Sequence, residues 1–535
     1  MGQNQEGIQH PQISKPQQNS NVNNIENSNV NNIDVVNNVE KKPKVNKNNK
    51  EPDYIDDINL TNSMIISEST DPNKSYTKLN CLGESEGSEV YRVKHNLTED
   101  IRAMKIIKKS TQERKGKKDG EDNEISDEIK ILRTLDHPNI LKIFEFYSSE
   151  DSYYIVTEFC PGGDLFQEIV DRGPFREKYC AFVLYQILSA INHCHTMKII
   201  HRDLKPENIL IVDKDKNDFP RIKICDFGTS KIFEKGITER KTIGSPYYMA
   251  PEIIEKNYTE KCDIWACGVI LYLLLSARPP FGGEEDEEII NNVRSGKYDL
   301  TSHPFNKLSK NCIDLIKKLL TIDPNKRISA QEALNHKWFK ENSSKELFNN
   351  IKDEKIIQKL IKNLKSYKRD SIIQEVALAY LVHNFPQMKE VITANKLFHQ
   401  LDSDEDGKIN KKDLLKGLKT RADSKALEKD IDKIYHNIDM DNNGYIEYEE
   451  FVRAAISKEK FLSNENILKF AFNYFDKDNS GSIDRDELNE VFKRGNSDPI
   501  AVQKALDKIL EEVDEDNNGT IEFKEFVHVM QKMLN

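Results

Sequence analysis

The most informative segment of this 535-residue chain is His201-Arg202-Asp203-Leu204-Lys205-Pro206-Glu207-Asn208. It belongs to a series of short motifs, each of which is weak evidence by itself. Leu82-Gly83 and Ala103-Met104-Lys105 precede it, and Asp226-Phe227-Gly228 and Ala250-Pro251-Glu252 follow it. The order and spacing of the series therefore carry more information than any single motif.

The series matches the signature set of protein kinases, so region 76–339 resembles a eukaryotic Ser/Thr protein kinase. The resemblance covers about half of the chain and implies that ATP and Mg²⁺ are bound. Asp203 would orient the substrate hydroxyl and accept its proton, and Lys205 would reach the γ-phosphate. Asn208 and Asp226 would offer oxygen ligands to Mg²⁺.

The same resemblance implies a nucleotide site. Lys105 would hold the α- and β-phosphates with Glu128 as its partner, and the backbone of 158–160 would read the adenine. Thr157 would control access to the pocket behind the hinge, and Asp164 would contact the ribose. The residues expected to contact ATP are Leu82, Gly83, Ser85, Gly87, Ser88, Val90, Ala103, Lys105, Glu128, Thr157, Glu158, Cys160, Asp164 and Asp226.

The nucleotide loop departs from the kinase pattern. Where that pattern reads GxGxxG, the aligned positions here are Gly83, Ser85 and Ser88, with Gly87 displaced to the tip. Serine lacks the freedom of glycine at positive φ, so a catalytically dead scaffold stays open as an alternative. Against it, the lysine, the helix glutamate and the three catalytic and Mg²⁺-binding residues are all present.

An internal repeat fills the C-terminal region. A DxDxDG-like motif begins at residues 402, 439, 476 and 514, and each copy opens a 12-residue segment with the oxygen-ligand pattern of an EF-hand calcium loop. The predicted loops are 402–413, 439–450, 476–487 and 514–525. In the first, the short Asp413 replaces the usual Glu, so we expect that site to be the weakest or the most tolerant of Mg²⁺.

The predicted Ca²⁺ ligands occupy loop positions 1, 3, 5, 7 and 12, with position 7 contributing its backbone carbonyl. They are Asp402, Asp404, Asp406, Lys408 and Asp413; Asp439, Asp441, Asn443, Tyr445 and Glu450; Asp476, Asp478, Ser480, Ser482 and Glu487; and Asp514, Asp516, Asn518, Thr520 and Glu525.

A basic amphipathic helix is predicted between the two regions. Apolar residues recur at helical spacing between Ile356 and Leu364, and lysines cover the other side. This pattern is typical of a target for a calmodulin-like groove. The alternative is a solvated linker helix.

Kinase motifs, basic helix and four loops together resemble the calcium-dependent protein kinases of plants and alveolates, over residues 76–535. The resemblance implies that the junction obstructs the kinase at rest and that Ca²⁺ releases it. We expect an α+β bilobal kinase fold at 76–339, a helical, autoinhibitory junction segment at 340–390, and an all-α calmodulin-like domain of two EF-hand pairs at 391–535. A calcium buffer with a vestigial kinase fold is a third alternative.

Composition narrows the class of partner. The net charge is −11, of which −9 falls in residues 391–535, a balance that argues against nucleic acid and favours cations. Acids near the cleft, Asp164 and Glu207, favour protein substrates with basic residues before the target Ser or Thr. The eight cysteines show no CxxC pair, as in reduced cytoplasmic proteins.

Residues 1–70 are expected to form a disordered tail. The first 50 residues contain 14 Asn and 6 Gln and no aromatic residue, so they cannot bury enough apolar area to offset the entropy of ordering. An N-terminal myristoylation motif has Ser or Thr at the sixth position, whereas this chain has Glu6. The longest apolar run has 11 residues, too few to cross a bilayer, and any membrane association is expected to be weak.

Overall fold

The computed structural model describes residues 66–68, 72–85, 87–109, 124–214, 219–233, 244–342, 354–368, 371–402, 407–419, 424–439, 443–493 and 499–533. The predicted tail lies outside these residues except at its end. Within the described part of the chain, no helix is both long and apolar enough to cross a membrane.

A six-stranded sheet with one flanking helix forms the first lobe, in the spatial order β1-β5-β6-β4-β3-β2. Neighbouring strands are antiparallel except β1, which runs parallel to β5. β1 falls within residues 1–70, which the sequence predicts to be a tail, and it is the one part of that segment among the described residues. The elements are β1 Ile66–Glu68, β2 Tyr76–Ser85, β3 Ser88–His95, β4 Ile101–Lys108, α1 Glu124–Thr134, β5 Ile143–Ser148 and β6 Ser152–Glu158.

The second lobe is mainly helical and is built around a helix that is buried on nearly every face. That helix, Lys261–Ser276, contains the longest apolar run of the chain, and an all-round apolar helix must lie inside the core. The elements are α2 Leu165–Arg172, α3 Glu177–Thr196, β7 Ile199–Ile200, β8 Ile209–Lys214, β9 Pro220–Ile224, β10 Lys231–Ile232, α4 Pro251–Ile254, α5 Lys261–Ser276, α6 Asp286–Ser295, α7 Lys310–Leu319, α8 Ala330–Leu334 and α9 Lys337–Glu341.

A buried ion pair stabilises this lobe. The guanidinium of Arg327 binds both carboxylate oxygens of Glu252 and lies 5.1 Å from the centre of the Trp265 ring. Two parallel N–H···O bonds suit the planar guanidinium. The Ala-Pro-Glu motif is thereby fixed to the segment before α8.

The C-terminal region consists of helices joined by short loops and one two-stranded ladder. Its elements are α10 Glu354–Ser366, α11 Ile372–Asn384, α12 Lys389–Leu401, α13 Lys411–Lys419, α14 Ser424–Ile438, α15 Tyr448–Ala455, α16 Glu459–Leu462, α17 Glu465–Phe475, β11 Ser482–Ile483, α18 Arg485–Lys493, α19 Pro499–Val513, β12 Ile521–Glu522 and α20 Phe523–Lys532. They share one hydrophobic core.

The predicted basic amphipathic helix corresponds to α10. Its apolar stripe, including Ile357, Leu360 and Leu364, is buried in the C-terminal core, and Lys359 and Lys362 are exposed. The prediction of an amphipathic helix is therefore confirmed. The predicted junction segment contains a second helix, α11, which is buried along its whole length and therefore shows no amphipathic stripe in the sequence.

Candidate functional site

The strand register brings the predicted nucleotide-binding residues to one face of the sheet. Lys105 pairs with Val90 on β3, and Ala103 pairs with Thr157 on β6. Directly opposed residues point to the same side of a sheet, and Ala103 and Lys105 alternate with buried neighbours on β4. Gly83 continues this face, because it pairs with Val90.

The β2–β3 turn tolerates the missing glycines. Ser85 and Ser88 pair with each other at the ends of the two strands, where extended backbone suits any residue. Gly87 adopts the left-handed conformation, with φ of +83°. The Gly87 carbonyl accepts a hydrogen bond from the Lys108 N–H at 2.9 Å. The glycine at the tip is thus at the position where φ is positive.

Lys105 and Asp226 form the charged centre of the cleft. The Lys105 ammonium lies 3.3 Å from Asp226 Oδ1. Although burial acts to raise it, the pKa of Asp226 is lowered by the Lys105 ammonium. The carboxylate is therefore ionised at neutral pH.

Glu128 lies beside this pair at longer range. A Cβ on Gly228 would be 3.4 Å from Glu128 Oε2 and 3.5 Å from Asp226 Oδ1, which places both acids next to the Asp-Phe-Gly motif. Burial raises the pKa of Glu128, and Lys105 opposes this effect. Among the described residues, no ion pair within 4.0 Å joins Glu128 to Lys105.

The catalytic-loop residues make one hydrogen-bonded group. Lys205 Nζ lies 2.6 Å from Asp203 Oδ2 and 3.4 Å from Ser245 Oγ. Asn208 Nδ2 donates to the Asp203 carbonyl at 2.8 Å and to its Oδ2 at 3.3 Å. Asp203 is thus held by two donors, and a substrate hydroxyl could reach its remaining oxygen.

Asp263 on α5 fixes the backbone of this loop. Its two oxygens accept from the N–H groups of His201 and Arg202, both at 3.0 Å, and from His195 Nε2 at 2.9 Å. Burial acts to raise the pKa of Asp263, but the hydrogen bond from His195 outweighs this effect, and the pKa is lowered. His195 therefore has a structural partner in Asp263.

The acidic side chains at and after the hinge have partners within the kinase domain. Glu158 is 3% exposed, and its Oε1 accepts from the Lys142 N–H at 2.8 Å and lies 2.7 Å from Lys223 Nζ. Cys160 is buried. Asp164 Oδ1 caps α2 by accepting from Gln167 N–H at 2.7 Å, a second use for the residue assigned to the ribose.

The four calcium-type loops share one internal geometry. The carboxylate at position 1 accepts from the N–H of the glycine at position 6 at 2.9–3.1 Å, and each glycine has a φ between +82° and +91°. The carboxylate at position 12 accepts from the N–H of position 9 at 2.9–3.2 Å. Residues 403–406 and 440–442, with Asp404, Asp406 and Asp441, lie outside the described residues.

Backbone pairing joins the loops two by two. Ile409 and Ile446 exchange two backbone hydrogen bonds of 2.9 Å, and β11 pairs antiparallel with β12. The first two loops and the last two are thus paired units.

The third and fourth loops fit a divalent cation. Oxygens of Asp476, Asp478 and Glu487 lie within 4.8 Å of one another, as do those of Asp514, Asp516 and Glu525. In the third loop, Asp476 Oδ1 is buried and makes no hydrogen bond within the described part of the chain. A buried carboxylate oxygen without a donor suits a metal ligand, and an all-oxygen set suits Ca²⁺.

The C-terminal region contacts the kinase-like region through residues that sequence reasoning did not identify. Polar contacts fall on Asp136, Lys142, Ile143 and Glu158, and the Phe470 ring lies 5.1 Å from the ring of His95. The polar contacts reach the back of the hinge, since Glu158 belongs to the hinge and Lys142 is hydrogen-bonded to it. No local sequence signal could identify them, because the partners are some 230 to 375 residues apart.

Comparison with known proteins agrees with this architecture. A protein kinase domain model matches residues 76–339, and an EF-hand domain pair model matches residues 393–456 and 465–531. The fold is therefore α+β with a helical C-terminal part, as expected. ATP binding follows from the kinase fold.

Several relatives have a similar length. Calcium-dependent protein kinase 4 of Plasmodium berghei is 36% identical over 473 residues, which cover 86% of this chain and 87% of that protein. Calcium-dependent protein kinase 29 of Arabidopsis thaliana is 36% identical over 450 residues, covering 83% and 81%. Calcium-dependent protein kinase 3 of P. berghei is 38% identical over 343 residues, covering 63% and 58%. The chain belongs to the calcium-dependent protein kinase family and is a serine/threonine protein kinase.

Proposed function

We propose that this kinase transfers the γ-phosphate of ATP to protein Ser or Thr when Ca²⁺ fills its four EF-hand loops, and that the junction at 340–390 inhibits it when they are empty. The observation that carries the proposal is that a complete catalytic group and four calcium-type loops are joined by direct contacts in one chain.

The roles of the catalytic residues follow from their positions. Asp203 accepts the proton of the substrate hydroxyl, and Lys205, bonded to it at 2.6 Å, neutralises charge on the transferred group. Phosphoryl transfer requires mainly positioning and charge neutralisation. Asn208 and Asp226 are the residues that would hold Mg²⁺, which supplies charge neutralisation at the phosphates when bound.

Release from inhibition is supported by where the C-terminal region rests. Its polar contacts to the kinase domain fall on residues such as Lys142 and Ile143, and among the described residues none of its hydrogen bonds reaches Asp203, Lys205 or Asn208. Shifting an equilibrium from 1:99 to 99:1 requires about 5.5 kcal/mol of differential binding. Four loops that each bind Ca²⁺ about tenfold more tightly in the released state would supply that amount, at about 1.4 kcal/mol each.

Peptide phosphorylation and ATP consumption by the full chain, measured with Ca²⁺ and with EGTA, test the function. We expect phosphorylation only with Ca²⁺ and none in an Asp203→Asn control. Binding of Ca²⁺ without phosphorylation under any condition would instead favour the scaffold or the buffer.

Truncation after Phe339 tests the inhibitory role of the junction. Without residues 340–535, we expect phosphorylation at the same rate with Ca²⁺ and with EGTA. An active truncated kinase that still requires Ca²⁺ would contradict inhibition by the junction.

Substrates with a basic residue before the target Ser or Thr are favoured by the charge of the cleft. Glu207 interacts electrostatically with Asp164 and Asp203, so negative charges gather on this side. An Arg-bearing peptide should be turned over faster than its Ala counterpart, and equal rates would remove the proposal.

The location in the cell and the membrane affinity are also proposals. All eight cysteines are free thiols, which supports a cytoplasmic location. Any membrane association would depend on the lysines between Lys41 and Lys50.

A further inference from the structure

Lys142 lies between the nucleotide-binding hinge and the second EF-hand loop. Its backbone N–H donates to Glu158 Oε1 at 2.8 Å, and its carbonyl accepts from the Glu158 N–H at 3.1 Å. Its ammonium lies 2.5 Å from Glu449 Oε1 and 3.7 Å from Asp136 Oδ1. One residue thus holds the hinge with its backbone and the C-terminal region with its side chain.

Glu449 is position 11 of the second loop, next to the predicted calcium ligand Glu450. Its Oε1 atom also lies 2.6 Å from Nδ1 of His383 on α11. Its backbone N–H donates to Asp136 Oδ2 at 2.7 Å. His383 Nε2 lies 2.7 Å from the Ile143 carbonyl. The loop, the junction and the kinase domain therefore meet at this carboxylate.

This cluster is shielded from water. The side chains of Lys142, Glu449 and His383 are 10%, 6% and 8% exposed. Burial acts to raise the pKa of Glu449, but the nearby Lys142 and His383 outweigh this effect and lower it. A buried pair of this kind is strongly weakened when one partner is removed, because the other charge is left uncompensated.

The residue at loop position 11, which is Glu449 in the second loop, has different surroundings in the other three loops. Position 11 is occupied by Lys412, Asp486 and Lys524 in the first, third and fourth loops, and all three residues are exposed. Glu449 is thus the one position-11 residue of the four that is buried against the kinase domain.

We infer that Lys142 and Glu449 couple the second calcium loop to the ATP-binding hinge, as positioning residues rather than catalytic ones. The inference rests on the proposed function and adds the route of regulation. Coordination by Glu450 fixes the start of α15, and Glu449 on the same helical turn then holds Lys142. Because the Lys142 backbone supports Glu158, calcium and ATP should each tighten the binding of the other.

The test uses full-length chains carrying Glu449→Gln or, as a matched control, Asp486→Asn. Both change an acid to its amide at position 11. For Glu449→Gln we expect the KM for ATP and the Ca²⁺ concentration for half-maximal activation to rise about threefold to tenfold, with kcat at saturation little changed. Asp486→Asn should match the wild type in all three quantities.

Lys142→Met and the Lys142→Met/Glu449→Gln double variant complete a mutant cycle. If the two residues act through each other, the double variant should be no more impaired than the worse single variant. Fully additive losses would overturn the inference.

Calcium binding to the wild type, measured calorimetrically with and without Mg²⁺ and a non-hydrolysable ATP analogue, provides a readout that needs no variant. The analogue should tighten calcium binding severalfold in the wild type and in Asp486→Asn. Identical calcium affinities with and without the analogue would overturn the coupling. A wild type that phosphorylates peptide without Ca²⁺ would overturn the proposed function, whereas a calcium-dependent wild type with an unaffected Glu449→Gln variant would overturn only this inference.

Discussion

The two EF-hand pairs, 393–456 and 465–531, have nearly the same loop chemistry but different surroundings. In the first pair, a Cβ on Gly407 would lie 2.6 Å from His193 Nδ1 of the kinase domain. In the second pair, Gly481 and Gly519 face open space, as does Gly444 of the second loop, so the glycine crowding is confined to the first loop. The second pair instead meets the kinase domain with a helix, where Phe470 lies 5.4 Å from the Arg102 guanidinium.

This difference separates the ability to bind calcium from the ability to transmit that binding to the kinase domain. All four loops share the contacts that shape an EF-hand site, but those of the first pair lie against the kinase domain. Occupancy of the first pair should therefore control the kinase directly, and occupancy of the second pair should act through the shared helical core.

The largest contrast is expected from removing the position-12 carboxylate in each pair. Glu450→Gln should raise the Ca²⁺ concentration for half-maximal peptide phosphorylation on the order of 100-fold, because a bidentate ligand is lost beside the kinase contact. Glu487→Gln should produce a clearly smaller increase. Equal shifts would show that the two pairs are functionally equivalent.

Alanine at the position-6 glycine tests the crowding itself. Gly407→Ala and Gly519→Ala both place a side chain at positive φ, with φ of +82° and +89°. Gly407→Ala also forces a Cβ against His193, so it should cost about 1–3 kcal/mol more in the free energy of unfolding. Denaturant unfolding of both variants measures the difference, and matching losses would indicate that the contact is unimportant.

The short position-12 residue of the first loop provides a smaller test. Asp413→Glu should tighten that site severalfold, roughly 1 kcal/mol, since the longer side chain reaches the ion with both oxygens. Calorimetric titration with Ca²⁺ measures the change. The opposite substitution, Glu525→Asp, should weaken the fourth site, and an unchanged affinity in Asp413→Glu would contradict the explanation.

The helix contact of the second pair predicts a modest pH dependence. Burial and the Arg102 charge lower the pKa of His95 to about 3, and its Nδ1 accepts from the Thr98 N–H at 3.2 Å. The unfolded chain, with a pKa near 6.5, binds the proton more readily. The His95 contribution is thus complete above about pH 6.5 and decreases by up to about 1.4 kcal/mol per pH unit below it.

Unfolding free energies at pH 7 and pH 5.5 measure this dependence. His95→Gln should flatten the slope relative to the wild type. An unchanged slope would show that His95 does not titrate between the folded and unfolded states in this range.

The catalytic site was predictable because its signals are local. The motifs containing Lys105, Asp203 and Asp226 predicted residues that the fold brings into one cleft, and the spacing between Ile356 and Leu364 predicted the buried stripe of α10. The loop repeat likewise placed an acid at position 1 and a glycine at position 6, and the structure adds the hydrogen bond between them.

The contact between the two regions was not predictable from local patterns. Lys142 and Glu449 are 307 residues apart, and each looks like an ordinary surface charge in the sequence. Helix α11 lies in the segment expected to be helical, but its burial on every face leaves no amphipathic stripe in the sequence to show where it packs. Gly87 shows the same limit, since only the structure reveals that it takes the one positive φ among the described residues of its turn.

Amide hydrogen exchange of the full chain, with Ca²⁺ and with EGTA, tests the central claim most directly. The account predicts that Ca²⁺ protects both α11 and the backbone around Lys142 and Ile143 behind the hinge, because the loaded first pair docks there. Equal exchange of these segments in the two conditions would contradict the account.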